Sequence, residues 1–99
     1  MSLIKRNIDA IKQLCGIYAV AQLSVFGSVL TDKFNDDSDI DFLFSFNAVP
    51  VENYVDNYLQ LSMVLEELLG REIDFVEDKA IRNPVFRSNV DRTKVQIYG

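Results

Sequence analysis

The chain has 99 residues, 48% hydrophobic and 25% charged, with fifteen acidic side chains against ten basic and a net charge of −5. That is enough for one domain, residues 1–99, with a single modest core. It argues against direct binding to bare nucleic acid, where clustered Lys and Arg are expected. Histidine is absent altogether, which excludes serine-histidine triads, histidine zinc sites and a histidine general base. No apolar run approaches the roughly 18 to 20 residues that span a bilayer. The opening MSLIKRNIDAIKQL intersperses its apolar residues with charges, unlike a secretory segment. A soluble, cytoplasmic protein without a membrane partner is expected.

Ile4, Ile8, Ile11 and Cys15 recur at helical spacing and predict one amphipathic helix ending near Gly16, with Cys15 as a small core residue. AVAQLSVF reads as a strand stopped by Gly27-Ser28, and VLTDKF as a short helix or turn. In DIDFLFSF, strict alternation puts Ile40, Phe42, Phe44 and Phe46 on one face and Asp39, Asp41, Leu43 and Ser45 on the other. A long helix follows Pro50 and closes at Gly70, with Val51, Val55, Tyr58, Leu61, Leu65 and Leu68 as its apolar stripe. REIDFVE alternates again, with Glu72, Asp74 and Val76 on one side. Asn83-Pro84 reads as the N-cap and first residue of a helix through about Val90, and KVQIY as a last strand. The order α-β-α-β-α-β-α-β indicates an α/β layered domain.

Asp39 and Asp41, two apart on a strand, point the same way with about 6.6 to 7 Å between their α-carbons. If the strand of Asp74 lies beside theirs in matching register, a third carboxylate joins the same face. Three anions with no interleaved lysine or arginine raise one another's pKa, and a divalent cation is the natural compensator. Hard oxygen donors without His or Cys favour Mg²⁺ or Mn²⁺ over zinc, and two ions about 3.5 to 4 Å apart suit phosphoryl or nucleotidyl transfer. Solvated loop charge is the plainer alternative for Asp-x-Asp alone. An EF-hand is a further one, but it fails at Phe42, where glycine is needed, and at Ala48, where a bidentate Glu belongs. Gly27-Ser28, just after a strand, offers close backbone approach, free N–H groups and a hydroxyl to phosphate oxygens; Ser28 as a simple helix cap is equally compatible. Neither a Walker loop nor G-x-G-x-x-G is present.

Gly27-Ser28, ten residues, Asp39-x-Asp41 and the later EIDFVE together resemble the minimal nucleotidyltransferase (MNT) family of the DNA polymerase beta-like superfamily. The resemblance runs through NPVFRSNV to the terminal VQIYG. It implies a nucleotidyltransferase fold, a mixed β-sheet flanked by α-helices. It also implies that Asp39, Asp41 and Asp74 ligate two Mg²⁺ ions (Mn²⁺ as the alternative), with Asp74 doubling as base, and that Gly27 and Ser28 hold the triphosphate of ATP. Chains of this family and length commonly pair, as antitoxins, with a HEPN-domain toxin, and some transfer AMP to a tyrosine of it. One departure stands out: where the family often carries a small residue, arginine and glycine, this chain has Leu30, Thr31 and Asp32. Two further readings therefore accompany the active adenylyltransferase. One is an inactive module that neutralises its partner by binding. The other is a transferase for a small acceptor such as an aminoglycoside, which this short chain would need to homo-oligomerise to hold. Tyr54, Tyr58, Val85 and Phe86 are candidates for a partner surface, and Arg82, Arg87 and Arg92 for a basic fringe.

Overall fold

The alternation of DIDFLFSF becomes a central strand of a four-stranded sheet in the computed structural model, which describes residues 1–99. The elements are α1 (Ser2–Arg6), α2 (Ile8–Ile17), β1 (Val20–Phe26), a 3-10 turn (Gly27–Leu30), β2 (Ile40–Phe46), α3 (Val51–Leu69), β3 (Ile73–Glu77), a second 3-10 turn (Asp78–Ala80), α4 (Pro84–Thr93) and β4 (Val95–Tyr98). Strand order is β3-β2-β1-β4, with β1 antiparallel to β2 and β4, and β2 parallel to β3. A parallel pair requires a crossover, which α3 supplies. The architecture is the expected mixed sheet flanked by helices. No helix is long and apolar enough to cross a membrane.

The two faces of the sheet are unequal. Leu23, Val25, Ile40, Phe42, Phe44 and Phe75 bury one face against Ile4, Ile11 and Cys15 from the first two helices and Leu61, Leu65 and Leu69 from α3. Phe44 stacks on Phe75 with ring centroids 4.1 Å apart. Large side chains buried this way each contribute about 1.5 to 3 kcal/mol. Cys15 is a core residue as expected, and burial pushes its thiol up to about 11. On the opposite face, Val90 of α4 covers only Phe26 and Leu43, flanked by Val76 and Ile81. Ser24, opposite Leu43, is buried on that face as well, whereas Asp39 and Asp74 are exposed.

Three local expectations are corrected. The first helix is two, broken at Asn7, whose Nδ2 donates to Leu3 O at 2.8 Å and whose backbone leaves helical geometry; a short polar side chain that bonds nearby backbone competes with the helix ladder. Along α3, Val51 and Val55 are exposed, and Leu61, Leu65 and Leu69 are the buried positions. Each i,i+4 step advances about 40° around a helix of 3.6 residues per turn, carrying Val55 off the face that Tyr58 and Leu61 present. The expected closure holds: Gly70 is left-handed at φ +66 and its N–H donates to Glu66 O at 2.8 Å. Lastly, of the three arginines of the expected basic fringe, Arg87 is taken up in ion pairs, while Arg82 and Arg92 stay exposed without one. Arg87 bridges Asp78 (2.8 Å) and Asp91 (2.7 Å), tying α4 to the turn after β3, while Arg82 donates to Lys79 O and Arg92 to Asn89 Oδ1.

Asn83 caps α4 as its sequence predicts, its Oδ1 accepting from Val85 N at 2.9 Å and Phe86 N at 3.0 Å, with Pro84 in the first turn. Asn83→Ala is expected to cost about 1 kcal/mol, since both donors lose their acceptor, and thermal melts should show it as a drop of about 4 to 8 °C. Of the proposed partner-surface aromatics, Tyr58 is committed inward, its hydroxyl on Phe75 O at 3.0 Å. Tyr54 donates to Glu77, and burial together with that carboxylate pushes its phenol up. Val85 and Phe86 remain exposed, although Phe86 rests edge-on against Phe26.

Candidate active site

The parallel pairing of β2 and β3 sets Asp41 opposite Asp74, as it sets Phe42 opposite Phe75 on the core side. Paired strands lie about 4.7 to 4.9 Å apart, so the two aspartates are immediate neighbours on the face opposite the main core. Asp39 precedes β2 at its mouth and is exposed; Asp41 is half-buried and Asp74 exposed. The register therefore brings Asp74 beside Asp41, while Asp39 stands just before the strand. None of the three takes part in an ion pair, all of which involve Arg71, Arg87 or Lys94 with Asp36, Asp78 or Asp91. Burial raises the pKa of Asp41, and the charges of Asp74 and Asp39 raise it further.

Across the sheet Asp41 also faces Phe26, and the chain turns directly after it. Gly27 makes that turn at φ +77, and a Cβ there would collide with Asp41 Oδ2. Both the backbone angle and the carboxylate's position demand glycine. Of VLTDKF, expected as a short helix or turn, Val29 and Leu30 complete a 3-10 turn, Gly27–Leu30, closed by Thr31, whose N–H and Oγ1 both donate to Ser28 O at 2.9 Å. Gly27, Leu30 and Thr31 join Thr93 of α4 around an open groove that none of the three carboxylates lines.

Arg71 was not singled out in the sequence, yet it organises the acidic loop. Its Nη1 donates to Asn35 O at 2.6 Å and Ser38 O at 3.0 Å, its guanidinium lies 4.2 Å from the centre of the Phe34 ring, and Asp36 stands 3.7 Å away. Asn35 and Ser38 complete the turn, Asn35 N donating to Ser38 Oγ and Asp37 N to Asn35 Oδ1. The available clue was an arginine just past a glycine-capped helix and directly before the second acidic strand. Arg71→Ala should speed amide exchange across residues 33–39 by about tenfold or more, because charged hydrogen bonds are the strong ones, and leave the central strands unchanged.

No three acidic, cysteine or histidine side chains converge closely enough to form a ready coordination cage. Asp39 is held outside the strand, and like charges hold one another apart. The donor chemistry nevertheless fits a hard divalent cation: carboxylate oxygens only, no counter-ion, one member with its pKa raised, and a glycine cradle a side chain would fill.

Residues 4–97 match the nucleotidyltransferase domain family. A protein from Methanocaldococcus jannaschii named as a candidate protein adenylyltransferase is 30% identical over 80 residues, 81% of this chain and 79% of its own. Protein adenylyltransferase MntA of Thermococcus cleftensis is 29% identical over 77 residues, 78% of this chain and 75% of its own. Among solved structures, one described as a candidate minimal nucleotidyltransferase superposes with a TM-score of 0.76 at 28% identity, covering 93% of this chain and 90% of that one. A chain from the complex of a tri-AMPylated Shewanella oneidensis HEPN toxin with an MNT antitoxin shares the fold, with a TM-score of 0.65 at 18% identity over 96% of this chain and 71% of its own. The family match spans nearly the whole chain, including every residue of the carboxylate face and the Gly27 turn, and the chain belongs to the nucleotidyltransferase domain family.

Proposed function

We propose that this chain is a Mg²⁺-dependent adenylyltransferase that moves AMP from ATP to the hydroxyl of a tyrosine on a HEPN-type toxin, and so acts as its cytoplasmic antitoxin. The observation that carries the reading is the register of Asp41 on Asp74 beside a glycine that a methyl group would drive into Asp41. The relatives named protein adenylyltransferases support AMP as the group moved and a protein as acceptor. The fold shared with a chain of the toxin-antitoxin complex supports the partner.

Asp39, Asp41 and Asp74 would hold two magnesium ions, with manganese as a substitute, supplying positive charge to the triphosphate and to the charge that develops during transfer. Gly27 lets the triphosphate approach the backbone beside Asp41, and the Ser28 hydroxyl and the N–H groups of the turn donate to its oxygens. The acceptor oxygen forms a bond to the α phosphorus, the bond from that phosphorus to the α,β-bridging oxygen breaks, and pyrophosphate leaves. Asp74 accepts the hydroxyl proton. Its exposure at the sheet edge leaves it within reach of a side chain on another protein. Catalysis then rests on positioning and electrostatics.

A second reading, neutralisation by binding alone, is favoured by one observation. Thr31, where the family often has arginine, is spent closing its own turn on Ser28, and the nearby Arg71 is committed to the Asn35–Ser38 loop. One experiment separates the two: incubation with α-labelled ATP, Mg²⁺ and a HEPN toxin. Label on the toxin's tyrosine that disappears with Asp41→Asn supports transfer. Inhibition of the toxin without label, unaffected by that change, supports binding alone.

A further inference from the structure

Val51, Val55, Leu59 and Met63 fall at i, i+4, i+8 and i+12 of α3 and form one ridge on its outer side. They are 87%, 62%, 50% and 67% exposed, so nothing in the chain covers them. Single exposed apolar residues need no explanation, but a continuous row does. The surrounding charge has one sign: α3 carries Glu52, Asp56, Glu66 and Glu67 and no lysine or arginine. None of these four is in an ion pair. Near the Val51 end, Tyr54, one turn along, walls a cavity of about 280 Å³ together with Phe46, Asn47, Glu77, Asp78 and Lys79, the Asp78 carboxylate being held by Arg87. Phe46 and Tyr54 meet edge to face there at 5.5 Å, and the Glu77 carboxylate accepts from the Tyr54 hydroxyl.

From the ridge and the one-signed charge around it we infer that α3 docks a basic amphipathic helix of a protein partner, its apolar stripe on the Val51–Met63 ridge and its lysines or arginines against Glu52 and Asp56. An i,i+4 ridge fits the matching groove of a second helix at a crossing angle of about −50°. A second copy of this chain is the poorer occupant, because pairing two α3 helices sets four carboxylates against four with no cation to offset them. The cavity lies at the far ends of β2 and β3; Ser45 is four residues, about 13 Å, along the strand from Asp41. A docked helix therefore leaves the carboxylate face open. The surface stands on its own observations, whether or not the docked protein receives a nucleotide.

The test uses three synthetic labelled peptides of about five helical turns: one with a leucine stripe and lysine flanks, one with the same stripe and glutamate flanks, and a scramble of the first. Fluorescence anisotropy should give the basic amphipathic peptide at least about tenfold tighter binding than either control. Leu59→Gln combined with Met63→Gln should weaken it at least about tenfold with the melting temperature unchanged, as both positions are exposed. Glu52→Lys with Asp56→Lys should shift preference toward the glutamate-flanked peptide. Failure of the basic peptide to bind, equal binding by its scramble, or indifference to the α3 changes overturns the proposal. So does a dimer in sedimentation that the Leu59 and Met63 changes dissolve, which would assign the ridge to a second copy.

Discussion

Asp41→Asn is expected to lower AMP transfer about a thousandfold while raising the melting temperature of the ligand-free protein. The rate loss follows from removing one charge from a trio whose role is to hold compensating cations against a triphosphate; losses of 10² to 10³ are usual when a preorganised electrostatic contact is deleted. The stability gain has the opposite sign because the carboxylate is disfavoured where it sits. Burial, then Asp74 and Asp39, hold the folded pKa of Asp41 above its ordinary value. The folded state therefore binds this proton more tightly than the unfolded chain. Stability from this group is present below the unfolded pKa and is lost as pH rises through the folded one. Asparagine does not titrate, so the gain should be largest near neutral pH and shrink as pH falls through the carboxylate range. Melts with and without Mg²⁺ and ATP complete the test: ligand should raise the wild-type melting temperature and leave the variant nearly unmoved.

Gly27→Ala is expected to have the next largest effect, and both stability and rate should fall. The left-handed φ of +77 disfavours any side chain by about 1 to 2 kcal/mol. The added methyl meets Asp41 Oδ2, so the carboxylate must move. A displacement of about 1 Å at a reacting centre can cost about a hundredfold in rate. Because both substitutions act through the Asp41 carboxylate, their effects on transfer should not multiply: Gly27→Ala placed on Asp41→Asn should cost little more rate than Asp41→Asn alone. Transfer assays on the four members of the cycle, with the melting temperature of each, separate the two effects.

The parts of the fold that could be read from sequence are those where local chemistry and tertiary role agree. The alternation of Ile40, Phe42 and Phe44 marks a face because the side chains between them have no place in a core. Gly70 and Asn83-Pro84 mark helix ends because few residues serve there. The pairing of Asp41 with Asp74 was legible, since two strands with the same acid-apolar alternation expose their acids on one face once they pair in register, whereas Asp39 lies just outside the strand. The rest needed coordinates. Asn7 breaks a helix whose apolar spacing runs through it, and the spacing carries no sign of the break. Val51 and Val55 share the hydrophobicity of the α3 core positions, and Val51 falls at the same helical angle as the buried Leu69, so spacing alone does not separate the exposed residues from the buried ones. Arg71 and Arg87 read as surface charge; their partners, the Asn35–Ser38 carbonyls and Asp78, are distant in sequence or belong to a turn whose form sequence does not fix.

The most direct test of the central claim is Mn²⁺ titration of the isotope-labelled protein, read as paramagnetic broadening of amide signals in the presence of a non-hydrolysable ATP analogue. The account predicts saturable broadening confined to residues around Gly27-Ser28, Asp39–Asp41 and Asp74, lost in Asp41→Asn. Broadening that leaves Asp74 sharp, or that centres on the acids of α3 instead, would contradict it.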